Sequence, residues 1–382
     1  MPHEVTGVHT HAAAARYDGI DVLRGLSIVF VVLHHTNLHM GFSHVSFQPM
    51  LPAQLGKILF WNGANGVTVF FAISGFLITT NAARRWGALA QTPALDFYRL
   101  RFARIAPLLL ALLAILSALH LAHVREFTIS PAQASLPRAL LAALTFHVNW
   151  LESARGYLPA NWDVLWSLSV EEMFYLFFPL LCRWTRGPRA LAAVLVGFVV
   201  LGPLARTVLT KNELWADYGY LSCMDGIAMG CLAAMLAPRL PSRRTVLLSL
   251  QAAGAALLLL ILAARPVARA LHLYQSGLDV TVLALGTCLL LMALVRHPRP
   301  GQWPTAPLRW FGRNSYEVYL THMFVVTWGI ELFVARGLGV RWAPFACLAM
   351  LTLAGLLGAA VARWYSEPLN RRLRRGWKAA RL

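Results

Sequence analysis

Residues 22–40 read V-L-R-G-L-S-I-V-F-V-V-L-H-H-T-N-L-H-M, an apolar run broken by Arg24 near one end and by His34, His35 and His39 near the other. A helix needs about 20 such residues to cross a bilayer, because every backbone N–H and C=O must be satisfied inside the segment. Nine further stretches of the same kind follow, at about 58–80, 105–123, 162–182, 189–209, 219–237, 245–264, 276–295, 314–335 and 343–364. The whole chain of 382 residues is 58% hydrophobic and only 13% charged, with a mean hydropathy of +0.57. That leaves too little polar surface for two or three soluble domains. The pattern predicts an all-α, polytopic membrane helix bundle of about ten transmembrane helices.

The 34 Lys and Arg against 16 Asp and Glu sit in short clusters between apolar runs rather than on one solvated face, so a nucleic-acid partner is not expected. Most of the basic residues fall on one side if both termini are cytosolic and the shorter stretch 136–151, which carries His147 and Asn149, does not cross. That stretch is therefore read as a re-entrant or surface helix. The expected layout is a cytosolic tail at 1–17, a membrane domain at 18–370 and a basic cytosolic tail at 371–382, with no appended soluble domain. His3, His9 and His11 lie in the first tail, which lacks the layout of an export signal. The five cysteines, Cys182, Cys223, Cys231, Cys288 and Cys347, have no C-x-x-C spacing and are expected to be buried apolar residues, so no metal site is expected. Internal repeats of the transporter kind are not visible.

An ionisable group within the hydrocarbon costs roughly 2.5–3.5 kcal/mol, so each needs a partner or a purpose. Arg24 and His35 are eleven residues apart, about three helical turns and 20°, which sets them on one face with a rise of roughly 16 Å. His35 then lies near the membrane midplane and is the preferred working imidazole, while His34 points about 80° away. Glu171, in W-S-L-S-V-E-E-M-F-Y (166–175), is a mid-membrane carboxylate that can orient a base or pin two helices. Arg101 and Arg104, one turn apart, can grip a phosphate together with Arg24, or simply mark the cytosolic side. Tyr319 and His322, in S-Y-E-V-Y-L-T-H, and Asp225, in C-M-D-G-I-A-M-G, are further intramembrane polar groups with supporting or structural roles. Ser74 in A-I-S-G-F is not a G-x-S-x-G elbow, and no Walker loop or dinucleotide fingerprint occurs.

Arg24-x10-His35, the run from Gly66 to Ile78, Arg101-x-x-Arg104, W-S-L-S-V-E-E-M-F-Y, the D-G-I-A-M-G around Asp225, S-Y-E-V-Y-L-T-H and the S-E-P at Ser366 to Pro368 together resemble the acyltransferase-3 family, in the same order over about residues 18–370. The resemblance implies an O-acyltransferase of the bacterial cytoplasmic (inner) membrane. Such an enzyme takes an acyl group, usually acetyl, from cytosolic acyl-CoA and delivers it to a hydroxyl of a surface or lipid-linked carbohydrate. It binds no permanent cofactor, since acyl-CoA is a donor substrate. The resemblance implies catalytic roles for His35 and Glu171 and donor binding by Arg24, Arg101 and Arg104. Thr68 departs from the pattern, since many members carry an acid there. The expected chemistry is a neutral His35 accepting the acceptor hydroxyl's proton, by direct transfer or through an acyl-enzyme. A transporter or flippase of a lipid-linked sugar is the alternative from another class, and a small molecule such as a macrolide the alternative acceptor. Outer segments carry His44, Gln48, Gln54, Asn62, Asn65, Glu152, Tyr157 and Asn161, with Trp150 and Trp162 nearby, as sugar contacts or interfacial anchors. The acceptor's identity and the oligomeric state stay open.

Overall fold

The computed structural model describes residues 17–42, 51–298 and 301–379. Most of the expected N-terminal tail, His44, Gln48 and Arg381 lie outside the described residues. No strand occurs among those described, and ten helices are long and apolar enough to cross a membrane. In chain order these are α1 (Asp18–Phe42), α2 (Gly63–Trp86), α3 (Ala94–Leu121), α4 (Leu165–Thr185), α5 (Pro188–Thr207), α6 (Tyr220–Leu236), α7 (Arg244–Leu262), α8 (Leu278–Arg296), α9 (Ser315–Ala335) and α10 (Ala343–Val361). The chain is a multi-pass membrane protein. Helices α1, α2, α4 and α6 form the interior, with 61–72% of their apolar windows buried, against 22% and 28% for α5 and α7. The outer helices present Val200, Leu259, Phe345 and Leu348 outward, where lipid replaces protein as the apolar solvent.

Small residues set the closest helix contacts, because without a hydrophobic drive between helices backbones must approach for dispersion to act. A Cβ on Gly75 of α2 would stand 1.9 Å from the Ile227 carbonyl oxygen, and one on Gly230 of α6 would stand 2.1 Å from that of Ala72. The α2–α6 crossing thus exists only with glycine on both sides. Asp225, at the same helix, is fully buried and bound to Arg206 of α5 at 2.8 Å and to Thr281 of α8 at 2.6 Å. Arg206 also donates to the Gly277 carbonyl at 2.7 Å, so one ionic knot fastens three helices.

Three details differ from the expected boundaries. The stretch 136–151 is two short helices, Leu136–Leu144 and Val148–Arg155, broken where Phe146 takes φ +58° and accepts a hydrogen bond from Tyr220 at 2.5 Å. Neither is long enough to cross. Helix α3 begins at Ala94, not near 105, so Arg99, Arg101 and Arg104 are all on it. Apolar-run counting stops at those arginines, although the helix continues past them and through Pro107. The basic end from 371 is part of a helix, Glu367–Ala379, that lies along α3 with the Trp377 ring 6.3 Å from Phe102.

Candidate active site

Helices α2, α3, α4 and α9 enclose a cavity of about 1500 Å³. At one end its lining includes Arg84, Arg85, Asp96, Arg101, Arg104 and Arg374, and at the other Val67, Phe70, Ser167 and Tyr319. Helix α2 accounts for this polarity. It enters the bundle with the apolar G-V-T-V-F-F and leaves it with Arg84 and Arg85 in its last turn, where cations favour the helix C-terminus.

The expected phosphate-gripping arginines sit in this cavity, each with its own carboxylate. Arg101 Nη2 is 3.1 Å from Glu172 and 3.7 Å from Glu171, and its guanidinium lies 3.7 Å over the Tyr175 ring. Arg104 binds Glu317 at 2.9 Å and covers Tyr316. Arg24 lines the same cavity and donates from Nε to Ser315 Oγ at 3.1 Å. Both Arg101 and Arg104 keep about a quarter of their side chains exposed, 26% and 28%, so they remain open to a ligand in the cavity. Arg84, Arg85 and Arg374, which the sequence offers only as topology signals, complete the basic mouth.

Glu171 does not meet His35. Its Oε1 accepts from Ser74 Oγ and, at 2.5 Å, from the Tyr175 hydroxyl, with Arg101 beside it. Ser74 and Tyr175 also touch each other through their hydroxyl oxygens. This serine, carboxylate and phenol line the cavity halfway along α2 and α4.

The partner of His35 is His322. His35 Nδ1 and His322 Nε2 are 3.1 Å apart, with ring centroids 5.0 Å apart. His322 is fully buried, and its Nδ1 is 2.7 Å from the Tyr319 carbonyl oxygen and 3.2 Å from that of Val318. A carbonyl can only accept, so His322 Nδ1 carries the proton and its Nε2, in the neutral ring, is an acceptor. His35 must then donate from Nδ1, which leaves its own Nε2 lone pair free. Backbone carbonyls of α9 thereby fix a tautomer on α1. Tyr319 of α9, whose ring is 6.0 Å from His322, is held by Ser167 Oγ at 2.6 Å and by the Val164 carbonyl at 3.0 Å. Phe70 meets Tyr319 edge-on at 6.5 Å. The cavity lining reaches Phe70 and Tyr319 but does not include His322 or His35, which stand one and two rings farther on.

On the face opposite the basic mouth, Asn161 anchors to the Leu320 carbonyl at 2.7 Å and Asn62 to that of Leu262 at 3.1 Å. Trp162 is fully buried and Trp150 exposed. Glu152, fully buried, is pushed well above the usual carboxylate range, first by burial and then by Asp163 beside it. Asp225 belongs to the Arg206 knot described above.

Residues 17–364 match the family model described as an acyltransferase domain. Peptidoglycan O-acetyltransferase OatA of Listeria monocytogenes is 26% identical over 328 residues, covering 81% of this chain and 49% of that protein. O-acetyltransferase OatA of Staphylococcus aureus is 23% identical over 391 residues, covering 94% of this chain and 58% of that protein. The chain spans about half the length of the curated relatives it matches. No solved structure matches.

Proposed function

The chain belongs to the acyltransferase-3 family, and from that premise we propose that it moves an acyl group, acetyl in the first instance, from cytosolic acyl-CoA to a hydroxyl of a cell-surface or lipid-linked carbohydrate at the inner membrane. The observation that carries this reading is a cavity that is basic at its mouth and apolar at its depth, ending beside the buried His322–His35 pair with its set tautomers. The names of the relatives, both O-acetyltransferases, support the acetyl group, and the peptidoglycan in the Listeria protein's name supports a carbohydrate acceptor.

In this reading the donor's phosphates meet Arg84, Arg85 and Arg374, with Arg101 and Arg104 deeper in, and the pantetheine arm runs roughly half the bilayer, about 15 Å, toward Tyr319. Displacement of the Phe70 and Tyr319 rings admits the thioester to His35. The acceptor oxygen attacks the thioester carbon as His35 Nε2 takes the hydroxyl proton. When the carbon–sulfur bond breaks, the imidazolium returns that proton to the departing sulfur, leaving an ester and free CoA. His322 accepts from His35 Nδ1 throughout and is a positioning residue. Glu171, bound to Ser74, Tyr175 and Arg101, shapes the donor channel instead of orienting the base. Titration of the purified chain with acetyl-CoA should raise its unfolding temperature, because a ligand that binds only the native state stabilises it. Absence of any CoA-dependent shift would favour the transporter reading.

A further inference from the structure

On the face of the bundle opposite the arginine mouth lies a smaller cavity of about 340 Å³, lined by Gln54, Lys57, Trp61, Arg265, Pro266 and Arg269. Two short helices frame it, Ala53–Phe60 before α2 and Arg265–Ala270 after α7. The whole of α2 separates Lys57 from Arg84 and Arg85, so this cavity and the donor mouth are at different ends of the molecule. Three cations converge here. The lining holds no carboxylate, and among the described residues none of the three forms an ion pair. Like charges gathered this way repel unless an anion sits among them. A membrane protein that concentrates its arginines at the other end has no topological reason for such a trio.

The arrangement is also pre-set. Arg265 Nη2 donates to the Trp61 carbonyl at 2.7 Å and to Asn62 Oδ1 at 3.2 Å, while its Nε is buried with no acceptor. The cavity adjoins the histidines: the Trp61 ring is 6.4 Å from His34, and His34 is 5.7 Å from His35. His34 is itself fixed to the Phe60 carbonyl at 2.8 Å, and Gly63 leaves room for its ring, since a Cβ there would stand 2.5 Å from it.

We infer that this cavity binds a phosphate or diphosphate group carried by the acceptor and so presents the acceptor's hydroxyl on the His34 side of His35. The identity of the ligand as an acceptor rests on the acyltransfer reading above; the phosphate site does not. Guanidinium and ammonium groups meet phosphate oxygens through charge-assisted hydrogen bonds, and a multiply charged anion answers three cations better than one carboxylate does. Trp61, 46% exposed, supplies a flat apolar face beside the anion for an attached sugar or lipid.

The same phosphate chemistry belongs to phospholipid headgroups, and the experiment separates the two sources. The full chain in phosphatidylcholine nanodiscs, with CoA saturating so that the arginine mouth is occupied, is titrated with pyrophosphate and its thermal unfolding followed. The wild type should be stabilised, and Lys57→Gln/Arg269→Gln should raise the apparent Kd for pyrophosphate about tenfold while keeping the stabilisation by CoA. Arg265 is left intact because its bonds tie the two short helices together. Equal pyrophosphate responses in the two proteins overturn the proposal. So does a response in which phosphatidylglycerol in the nanodisc stabilises through the same two residues and pyrophosphate does not displace it. If CoA itself gives no stabilisation, the acyltransfer reading fails, and the pyrophosphate difference still decides the phosphate site.

Discussion

Replacing His322 with leucine removes the acceptor that holds His35 Nδ1–H at 3.1 Å while keeping an apolar side chain in a fully buried site. The Tyr319 and Val318 carbonyls lose only the imidazole, because both lie inside α9. The cost falls on His35, whose ring loses His322 and keeps only the Val31 carbonyl of its own helix, and whose second tautomer, with no lone pair on Nε2, becomes available. Loss of one such hydrogen bond costs about 1 kcal/mol, so if that penalty is borne by the reactive form, kcat falls roughly fivefold. The assay is acetyl-CoA turnover by the purified chain with acceptor, normalised to folded protein. His322→Gln keeps a side-chain oxygen able to accept and should recover most of the loss, which a purely packing role would not require. A leucine variant within twofold of wild type, or a glutamine variant no better than leucine, would refute the tautomer argument.

Gly75→Ala places a methyl 1.9 Å from the Ile227 carbonyl oxygen and should destabilise by about 1–3 kcal/mol in thermal unfolding, whereas Gly197→Ala, with no atom within 4 Å, should be neutral. Phe70→Ala removes the lining ring that packs against Tyr319 and should raise acceptor-independent acetyl-CoA hydrolysis several-fold; an unchanged background rate would mean that the ring gates nothing. Glu152 has a folded-state pKa raised above its ordinary 4.5, so the native state binds the extra proton. Its contribution to stability is full below about pH 4.5 and is lost as pH rises through the raised value. Glu152→Gln should therefore flatten the fall in unfolding temperature between acid and alkaline buffers, and an equally steep fall would place the proton elsewhere.

The ten spans were legible because the length of an apolar run is a direct physical requirement of the bilayer. Their ends were less so: the arginines of α3 interrupt hydropathy but not the helix, and the stretch 136–151 looks like one element until Phe146 takes a left-handed backbone. Within the site, periodicity joined Arg24 to His35 along one helix, since both belong to α1. It carried no information about which distant helix faces that pair. The His35–His322 contact links residues 287 apart in sequence, and the Ser74–Glu171 contact links residues 97 apart. Both depend on how α1, α2, α4 and α9 pack. Arg374 shows the same limit, because a basic chain end reads as a solvated tail until its helix is seen lying along α3 beside the cavity. Asp225 was visible as an expensive buried acid, while its partner Arg206 read as the edge of a span.

The most direct test is the position of a bound donor. A structure of the full chain in a nanodisc with a thioether analogue of acetyl-CoA should show the nucleotide phosphates at the Arg84, Arg85 and Arg374 mouth. The acyl carbon should lie close enough to His35 Nε2, about 5–6 Å, to leave room for a hydroxyl oxygen bridging the two. An analogue whose acyl end stops at Ser74 and Tyr175, with Phe70 and Tyr319 still closed over the histidines, would contradict a base at position 35.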